Sequence, residues 1–566
     1  MEQTLLSVEQ ATKNLIDSLK QACTAHGLGN SGNEYKIIVQ MFLYKFFNDK
    51  FGYEAKKTAL FGKRLRDAEK WDAEYDTFTP EEVEDLFDYL PSDTPRLRPE
   101  HTIAHLYNAQ QQGDFATLLD STLDDIAILN DKIFSVATGT STKSEDAEAR
   151  VAVFDKDLLK NSIADAAKRS GFAIALCRHI ADPAANFEPM FSEKYDFFST
   201  MFEYLIKDYN KDGGGTYAEY YTPRSIAQIM AKLLVGDARD LRGVTCYDPS
   251  AGTGTLLMAL AHQVGEDRCT IYSQDISQKS SQMLRLNLIL NNLVGSLQNV
   301  IEGNTLKRQE HREPDGTAQK FDFIVSNPPF NLDFSDYRDT IAADTVRFWA
   351  GVPAVPKGTK DKPGKAEKMK IFLCFIQHML NALKDGKGKG AIVVPTGFIT
   401  SKQGIEKNIL SRVVDEKIVY GCVSMPSNVF ATTGTNVSVL FFDNSRQHDK
   451  VVLIDASKLG EKRKDGKNQR TFLSAAEIEK IVRTFLDAKA EDGFSVVVSH
   501  EEIAKKGYGL SAGHYFDVKI EHVDISVAEF KKRIDDFSSA LAEMSKEGAA
   551  LDKAIAANLK KLELVK

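Results

Sequence analysis

Asn327-Pro328-Pro329-Phe330 sets an amide, two fixed-φ residues and a flat ring side by side. The tetrapeptide closes an apolar run, Phe321 to Ser326, that reads as a buried strand. Two consecutive prolines end a strand abruptly, because neither offers a backbone N–H and both fix φ. The result is a rigid segment at a strand's carboxyl end, where open α/β sheets place their ligands. The Asn327 side-chain oxygen and the proline carbonyls accept hydrogen bonds, and the Phe330 ring offers a stacking face. Together they suit a planar group that carries an –NH2.

A second cluster lies upstream. Cys246-Tyr247-Asp248-Pro249-Ser250-Ala251-Gly252-Thr253-Gly254 reads as a strand and a glycine turn, followed by an amphipathic helix. The glycines allow close backbone approach to a ligand, and the helix start offers unpaired N–H groups. Asp248, at the strand tip, can accept from an amine. The turn lacks the third glycine of the dinucleotide fingerprint, and the chain has no Gly-x-x-x-x-Gly-Lys-Ser/Thr loop, so a zwitterionic ligand is favoured over a phosphate-bearing one. Asp275 follows Gly254 by 21 residues and ends a second strand, Ile271 to Asp275. An acid there is the usual partner of a ribose hydroxyl pair.

These residues need a scaffold. Apolar residues at helical spacing predict a helix over Ser280–Asn292, and Val300-Ile301 leads into Gly303-Asn304-Thr305. Strand alternating with helix predicts a parallel sheet. Ahead of it, Gly213-Gly-Gly precedes Glu219-Tyr220-Tyr221-Thr222-Pro223-Arg224. Here Thr222 reads as an N-cap and Pro223 as the first helical residue.

Taken in order, Tyr-Tyr-Thr-Pro-Arg, Asp-Pro-Ser-Ala-Gly-Thr-Gly, Gln-Asp, Gly-Asn-Thr-Leu and Asn-Pro-Pro-Phe resemble the S-adenosylmethionine-dependent amino-methyltransferases of DNA. Within that group the chain is most similar to the modification (M) subunits of type I restriction–modification systems. The likeness extends to Ile392-Val-Val-Pro395, Met425-Pro-Ser-Asn-Val-Phe430 and the final helix. It implies an α/β, Rossmann-like S-adenosylmethionine-dependent domain with a helical N-terminal domain and a coiled-coil-like C-terminal helix. It implies methyl transfer to the exocyclic amino group of adenine in double-stranded DNA, with Asn327, Pro328, Pro329 and Phe330 catalytic and the base flipped out to stack on Phe330. Glu219, Tyr220, Tyr221, Thr222, Pro223 and Arg224, then Asp248 and Ser250 to Gly254, then Asp275 and Asn304, would hold the cofactor. Related methylases often carry an aspartate at the position of Asn304. The implied partners are DNA, a specificity subunit, a second copy of the chain and a restriction (nuclease or motor) subunit. A methylase of protein glutamine or of RNA guanine also fits Asn-Pro-Pro-Phe, and a non-catalytic scaffold subunit is a third alternative. Cytosine amino methylation also stays open, although the leading asparagine leans towards adenine, whereas cytosine carbon-5 chemistry is disfavoured, because no Pro-Cys pair supplies a thiolate.

Composition bounds this reading. The chain has 566 residues, enough for two or three domains. Its six cysteines stand singly, with no Cys-x-x-Cys pair, which argues for reduced thiols and against a zinc site. No apolar run reaches the ~18–20 residues that span a bilayer, and Met1-Glu-Gln-Thr lacks a signal peptide's basic start, so a cytoplasmic location without membrane contact is expected. The net charge of −8 is unlike a protein that grips DNA alone. Six lysines between Lys357 and Lys370 form either a solvated loop or a DNA-facing one.

Three regions follow. Residues 1–190 carry helix signals, including the capping box Thr79-Pro80-Glu81-Glu82. Residues 191–510 hold the motifs and further buried strands, Ala391–Val394 and Ser438–Phe442. Residues 511–566 carry a heptad seam: Phe530, Ile534, Phe537, Leu541, Met544, Leu551 and Ile555 alternate four-three, with Gly548 at one position. Such a seam either packs on its own domain or pairs with a partner helix, which the resemblance makes the specificity subunit. No target-reading domain is evident.

Overall fold

The apolar strands collect into one nine-stranded sheet. In chain order they are β1 Val244–Asp248, β2 Cys269–Asp275, β3 Val300–Glu302, β4 Phe323–Ser326, β5 Lys389–Pro395, β6 Val419–Ser424, β7 Val437–Asp443, β8 Lys450–Asp455 and β9 Ser495–Ser499. Their spatial order is β9-β8-β6-β7-β5-β4-β1-β2-β3. The computed structural model describes residues 2–29, 32–111, 113–134, 136–137, 150–151, 153–192, 222–238, 240–356, 365–430, 436–465, 468–516 and 525–561.

From β3 through β5 every pairing is parallel, as the strand–helix rhythm predicts. The sheet as a whole is mixed, a correction to that expectation. β7 inserts between β5 and β6 and runs antiparallel to both, and β9 is antiparallel to β8. β6 and β7 are joined by only twelve residues, 425–436, short for a parallel crossover, and the chain reverses between them. All of β7 is buried, which is why its sequence reads as a continuous apolar run.

Helices of the catalytic part pack on this sheet, and a helical part precedes it. Number α1 Glu2–Ala25, α2 Gly32–Ala55, α3 Pro80–Tyr89, α4 Phe115–Leu129 and α5 Ala166–Ile180 for the N-terminal part. The Thr79 capping box at the start of α3 is present in both directions. In the catalytic part, α6 Arg224–Val235 buries Ile226, Ile229, Met230 and Leu233. α7 Thr255–Val264 follows β1, and α8 Gln278–Leu290 follows β2. α9 Phe372–Ala382 precedes β5. Asp322, just before β4, ties the bases of β1 and β4 together. It accepts from Thr245 N and Oγ1 at 3.0 Å and pairs with Lys384. Burial works against its charge, but these partners outweigh it and hold the carboxyl at about 2.

Residues Met1–Tyr515 form one compact unit and Phe516–Lys566 a second. The helical and sheet parts of the first meet directly, for example where the Tyr35 hydroxyl reaches Met283 Sδ at 3.0 Å. Among its described residues the second unit holds one helix, α10 Val527–Lys561. Along it Phe530, Ile534, Phe537, Leu541, Met544, Leu551 and Ile555 are all exposed. Among the described residues no helix is long and apolar enough to cross a membrane.

Candidate active site

Strand order reverses beside β1, whose neighbours are β2 on one side and β4 on the other. The carboxyl ends of β1 and β4 therefore open on a switch-point crevice. At the β1 tip, Asp248 is 1% exposed and accepts from Ser250 N at 2.9 Å and Ser250 Oγ at 3.3 Å. The Ser250 hydroxyl also lies 2.7 Å from the hydroxyl of Ser326, the last residue of β4. One side chain thus ties the turn after β1 to the residue that precedes Asn327.

The glycine turn is held from several directions. Gly252 N donates to Asp275 Oδ2 at 2.8 Å, and Asn287 Nδ2 of α8 donates to Thr253 O at 3.1 Å. The Thr305 hydroxyl donates to Pro249 O at 2.7 Å. Gly254 has φ +88°, and a Cβ there would lie 2.1 Å from Leu284 Cδ1, so any other residue would be strained and would have to displace that side chain. The predicted strand–turn–helix is present, with Ala251 buried and α7 starting at Thr255.

Asp275 ends β2 as expected. Its Oδ1 accepts from Ser277 N and its Oδ2 from Gly252 N, both at 2.8 Å. Each oxygen keeps a second acceptor site, so a ribose hydroxyl pair remains compatible. Ile276 beside it is 67% exposed, an apolar side chain at the crevice that sequence reasoning passed over. Asn304 sits in the loop after β3, where its Oδ1 caps Leu306 N and Lys307 N at 3.1 Å. The buried Arg347 donates to the carbonyls of Thr305 and Leu306, which fixes that loop.

Two features of this crevice fit a cationic ligand. Burial pushes the Asp248 carboxyl up to about 8, against the opposing Ser250 N–H bond and with help from the Asp275 charge. Burial also raises Asp275. Among the described residues neither acid meets a cationic side chain, so a positively charged ligand would relieve both. S-adenosylmethionine, which carries a sulfonium and an ammonium, is a ligand of that kind.

Just past the end of β4, Asn327 Nδ2 donates to Thr222 Oγ1 at 3.0 Å. The amide oxygen, Oδ1, accepts nothing from the described residues. Phe330 is half-buried and meets Phe372 of α9 edge-on, with ring centroids 6.2 Å apart. Thr222 was expected to cap α6. The N-cap is instead Pro223, whose carbonyl accepts from Ile226 N and Ala227 N, and no side chain caps the helix. The physical reason is that the Thr222 hydroxyl is turned across to Asn327. Arg224 is the first helical residue. Glu219, Tyr220 and Tyr221 lie outside the described residues, as do Gly213 and positions 357–364 of the lysine stretch.

The arrangement therefore joins Thr222, Asp248, Ser250, Gly252, Gly254, Asp275, Ser326 and Asn327 around one crevice. Ser326 and the Thr222–Asn327 bond escaped sequence reading. A serine before Asn327 carries no pattern, and the bonded pair is 105 residues apart.

Known proteins share this frame. The type I restriction-modification methyltransferase subunit from Streptococcus thermophilus superposes with a TM-score of 0.67 at 24% identity, over 90% of this chain and 99% of that one, which establishes a common fold. The Type I restriction enzyme MpnII methylase subunit of Mycoplasma pneumoniae is 29% identical over 348 residues, covering 60% of this chain and 61% of that protein. The MjaVII methylase subunit of Methanocaldococcus jannaschii is 24% identical over 98% of this chain and 85% of that one. The chain spans about three fifths of the length of the first curated relatives it matches. A family model described as N-6 DNA Methylase matches residues 193–524, more than half of the chain and every element that builds the crevice. The chain belongs to the N-6 DNA methylase family.

Proposed function

We propose that the chain transfers a methyl group from S-adenosylmethionine to the exocyclic amino group of adenine in double-stranded DNA. In this reading it is the catalytic subunit of a type I restriction–modification complex, whose separate specificity subunit reads the target. The observation that carries the chemistry is the Asn327 amide at the end of β4, its nitrogen engaged by Thr222 and its oxygen left as an acceptor.

Adenine's amino nitrogen is a poor nucleophile, because its lone pair is delocalised into the ring. Asn327 Oδ1 and the Pro328 carbonyl accept its two hydrogens, which localises the pair and holds the nitrogen in place. The prolines keep both acceptors rigid, so little reorganisation is needed at the moment of transfer. Phe330 stacks on the flipped base. Asp248, Asp275 and the turn from Ser250 to Gly254 hold the cofactor, with Ile276 as an apolar surface beside it. When bound, S-adenosylmethionine supplies the electrophilic sulfonium methyl. No side chain of matched pKa is needed as a base, since the amino nitrogen becomes cationic as the methyl leaves the sulfonium, whose sulfur keeps the bonding pair, and then loses its proton to water.

Membership of a larger complex is supported by the likeness to type I methylase subunits and by the exposed apolar seam of α10. A second copy of the chain and a restriction subunit belong to the same reading. The experiment incubates the chain, co-expressed with its neighbouring specificity subunit, with duplex DNA and methyl-labelled S-adenosylmethionine. Label should appear in N6-methyladenine after digestion to nucleosides. Label in protein glutamine or RNA guanine, with none in adenine, overturns the proposal.

A further inference from the structure

The Asn327 amide has two ends of nearly equal size and opposite hydrogen-bonding sense. Only the orientation with Oδ1 facing a substrate –NH2 is productive, because the reverse sets donor against donor. In the structure Nδ2 is engaged by Thr222 Oγ1 at 3.0 Å, which leaves Oδ1 as the outward acceptor. Thr222 is 5% exposed, so water competes little for that bond. Its backbone is restricted by the following proline, and its β-branched side chain has few rotamers. The helix behind it is anchored by Ile226, Ile229, Met230 and Leu233, all buried. The hydroxyl is thus mounted on a rigid element and spent on neither helix capping nor any other described partner.

We infer that Thr222 is a positioning residue for methyl transfer, its hydroxyl holding the Asn327 amide with the oxygen toward the substrate's amino group. This rests on the function proposed above and departs from the cofactor contact that the family resemblance implies for Thr222. A cofactor ligand and an amide-orienting residue leave different signatures. Loss of a cofactor contact weakens S-adenosylmethionine binding, whereas loss of the orienting bond leaves binding intact and slows transfer.

The test uses the full chain in its DNA-methylating complex. Thr222→Val keeps the shape and removes the hydroxyl. It should lower kcat by about tenfold or more, the scale of one well-placed hydrogen bond to a reacting group. The Kd for S-adenosylmethionine by calorimetry, the KM for DNA and the melting temperature should stay near those of wild type. Thr222→Ser should restore most of the rate. Thr222→Ala, without the branched bulk, should behave as Val does and serves if the Val variant misfolds. A rate unchanged in both Val and Ala variants sinks the inference, as does a fall in cofactor affinity that accounts for the whole loss of rate. A wild-type complex that binds S-adenosylmethionine but puts no methyl on adenine overturns the underlying function, and this inference with it.

Discussion

Ser250 and Ser326 share a hydrogen bond of 2.7 Å across the tips of β1 and β4. One belongs to the glycine turn and the other adjoins Asn327, so the bond couples the proposed cofactor site to the proposed catalytic residue. Ser326 is fully buried, and its replacement by alanine leaves the Ser250 hydroxyl with Asp248 alone. Ser326→Ala should cost about 1 kcal/mol of stability, the net worth of one buried hydrogen bond, and should also slow transfer. Denaturant titration read beside single-turnover kinetics checks this. Lost stability with an unchanged transfer rate means that the bond is only a structural tie.

Asn327→Ala removes one of two acceptors for the substrate amine while leaving the strand and turn in place. Methyl transfer should fall to background, with S-adenosylmethionine affinity nearly unchanged. Phe330→Ala should weaken capture of the flipped base by about 1–3 kcal/mol. A fluorescent base analogue at the target position reads that loss directly. An Asn327→Ala complex that methylates at near wild-type rate removes Asn327 from the mechanism.

Much of this site was legible in the sequence because it is built from local signals. The proline pair ends β4 at Ser326, and Gly252 and Gly254 mark positions where positive φ is required. Asp248 and Asp275 fall at strand tips because apolar runs end there. The features that escaped are long-range. Thr222 reads as a helix cap in any sequence, since nothing local announces that its hydroxyl turns toward a residue 105 positions away. The reversal of β7 escaped for a similar reason, as a strand buried on both faces has the same apolar run whether it is parallel or antiparallel. Asn304 carries its Oδ1 to Leu306 N and Lys307 N, a role its position in a motif did not reveal.

In the proposed function, the buried Asp248 makes cofactor binding depend on pH. Its folded-state value of about 8 exceeds the ordinary 3.8, so the folded chain holds an extra proton between the two. That term stabilises the fold fully below the ordinary value and is lost as pH rises through about 8. A cation beside the carboxylate lowers its pKa, so binding near neutrality expels the proton and tightens as pH rises. Affinity for S-adenosylmethionine should increase between about pH 5.5 and about pH 7.5, below the range where the ligand's own ammonium titrates. Calorimetry in buffers of different ionisation enthalpy should show proton release on binding. Asp248→Asn should bind weakly and lose most of that dependence. An equal pH profile in the Asn variant assigns the proton to another group.

Asp275 tests the ribose end of the same site. Asp275→Ala should weaken S-adenosylmethionine by about 1–3 kcal/mol, partly from unpaired ribose hydroxyls and partly because Gly252 N loses its acceptor. Asp275→Asn keeps one acceptor oxygen for Gly252 N but sets its –NH2 against Ser277 N–H, so it should recover only part of the loss. Calorimetry with methylthioadenosine, which keeps the ribose but lacks the amino acid, should show the same loss. Unchanged affinity for both ligands in the alanine variant excludes Asp275 from the cofactor site.

The last expectation concerns α10. Phe530, Ile534, Phe537, Leu541, Met544, Leu551 and Ile555 are exposed at heptad spacing along a 35-residue helix. Apolar side chains at that spacing gain stability only when another helix buries them. Truncation after residue 525 should therefore leave the Met1–Tyr515 unit folded and able to bind S-adenosylmethionine, while abolishing assembly with the specificity subunit. Replacing both Ile534 and Leu541 with aspartate puts two charges into the seam without shortening the chain. Burying them against a partner helix would cost several kcal/mol, enough to dissociate a complex of ordinary affinity. Size-exclusion chromatography of co-expressed subunits gives the answer. Separate elution of the charged variant, with its cofactor affinity retained, establishes the seam as the docking element. Co-elution at wild-type stoichiometry places the partner's contact elsewhere on the chain and leaves the seam for a different helix.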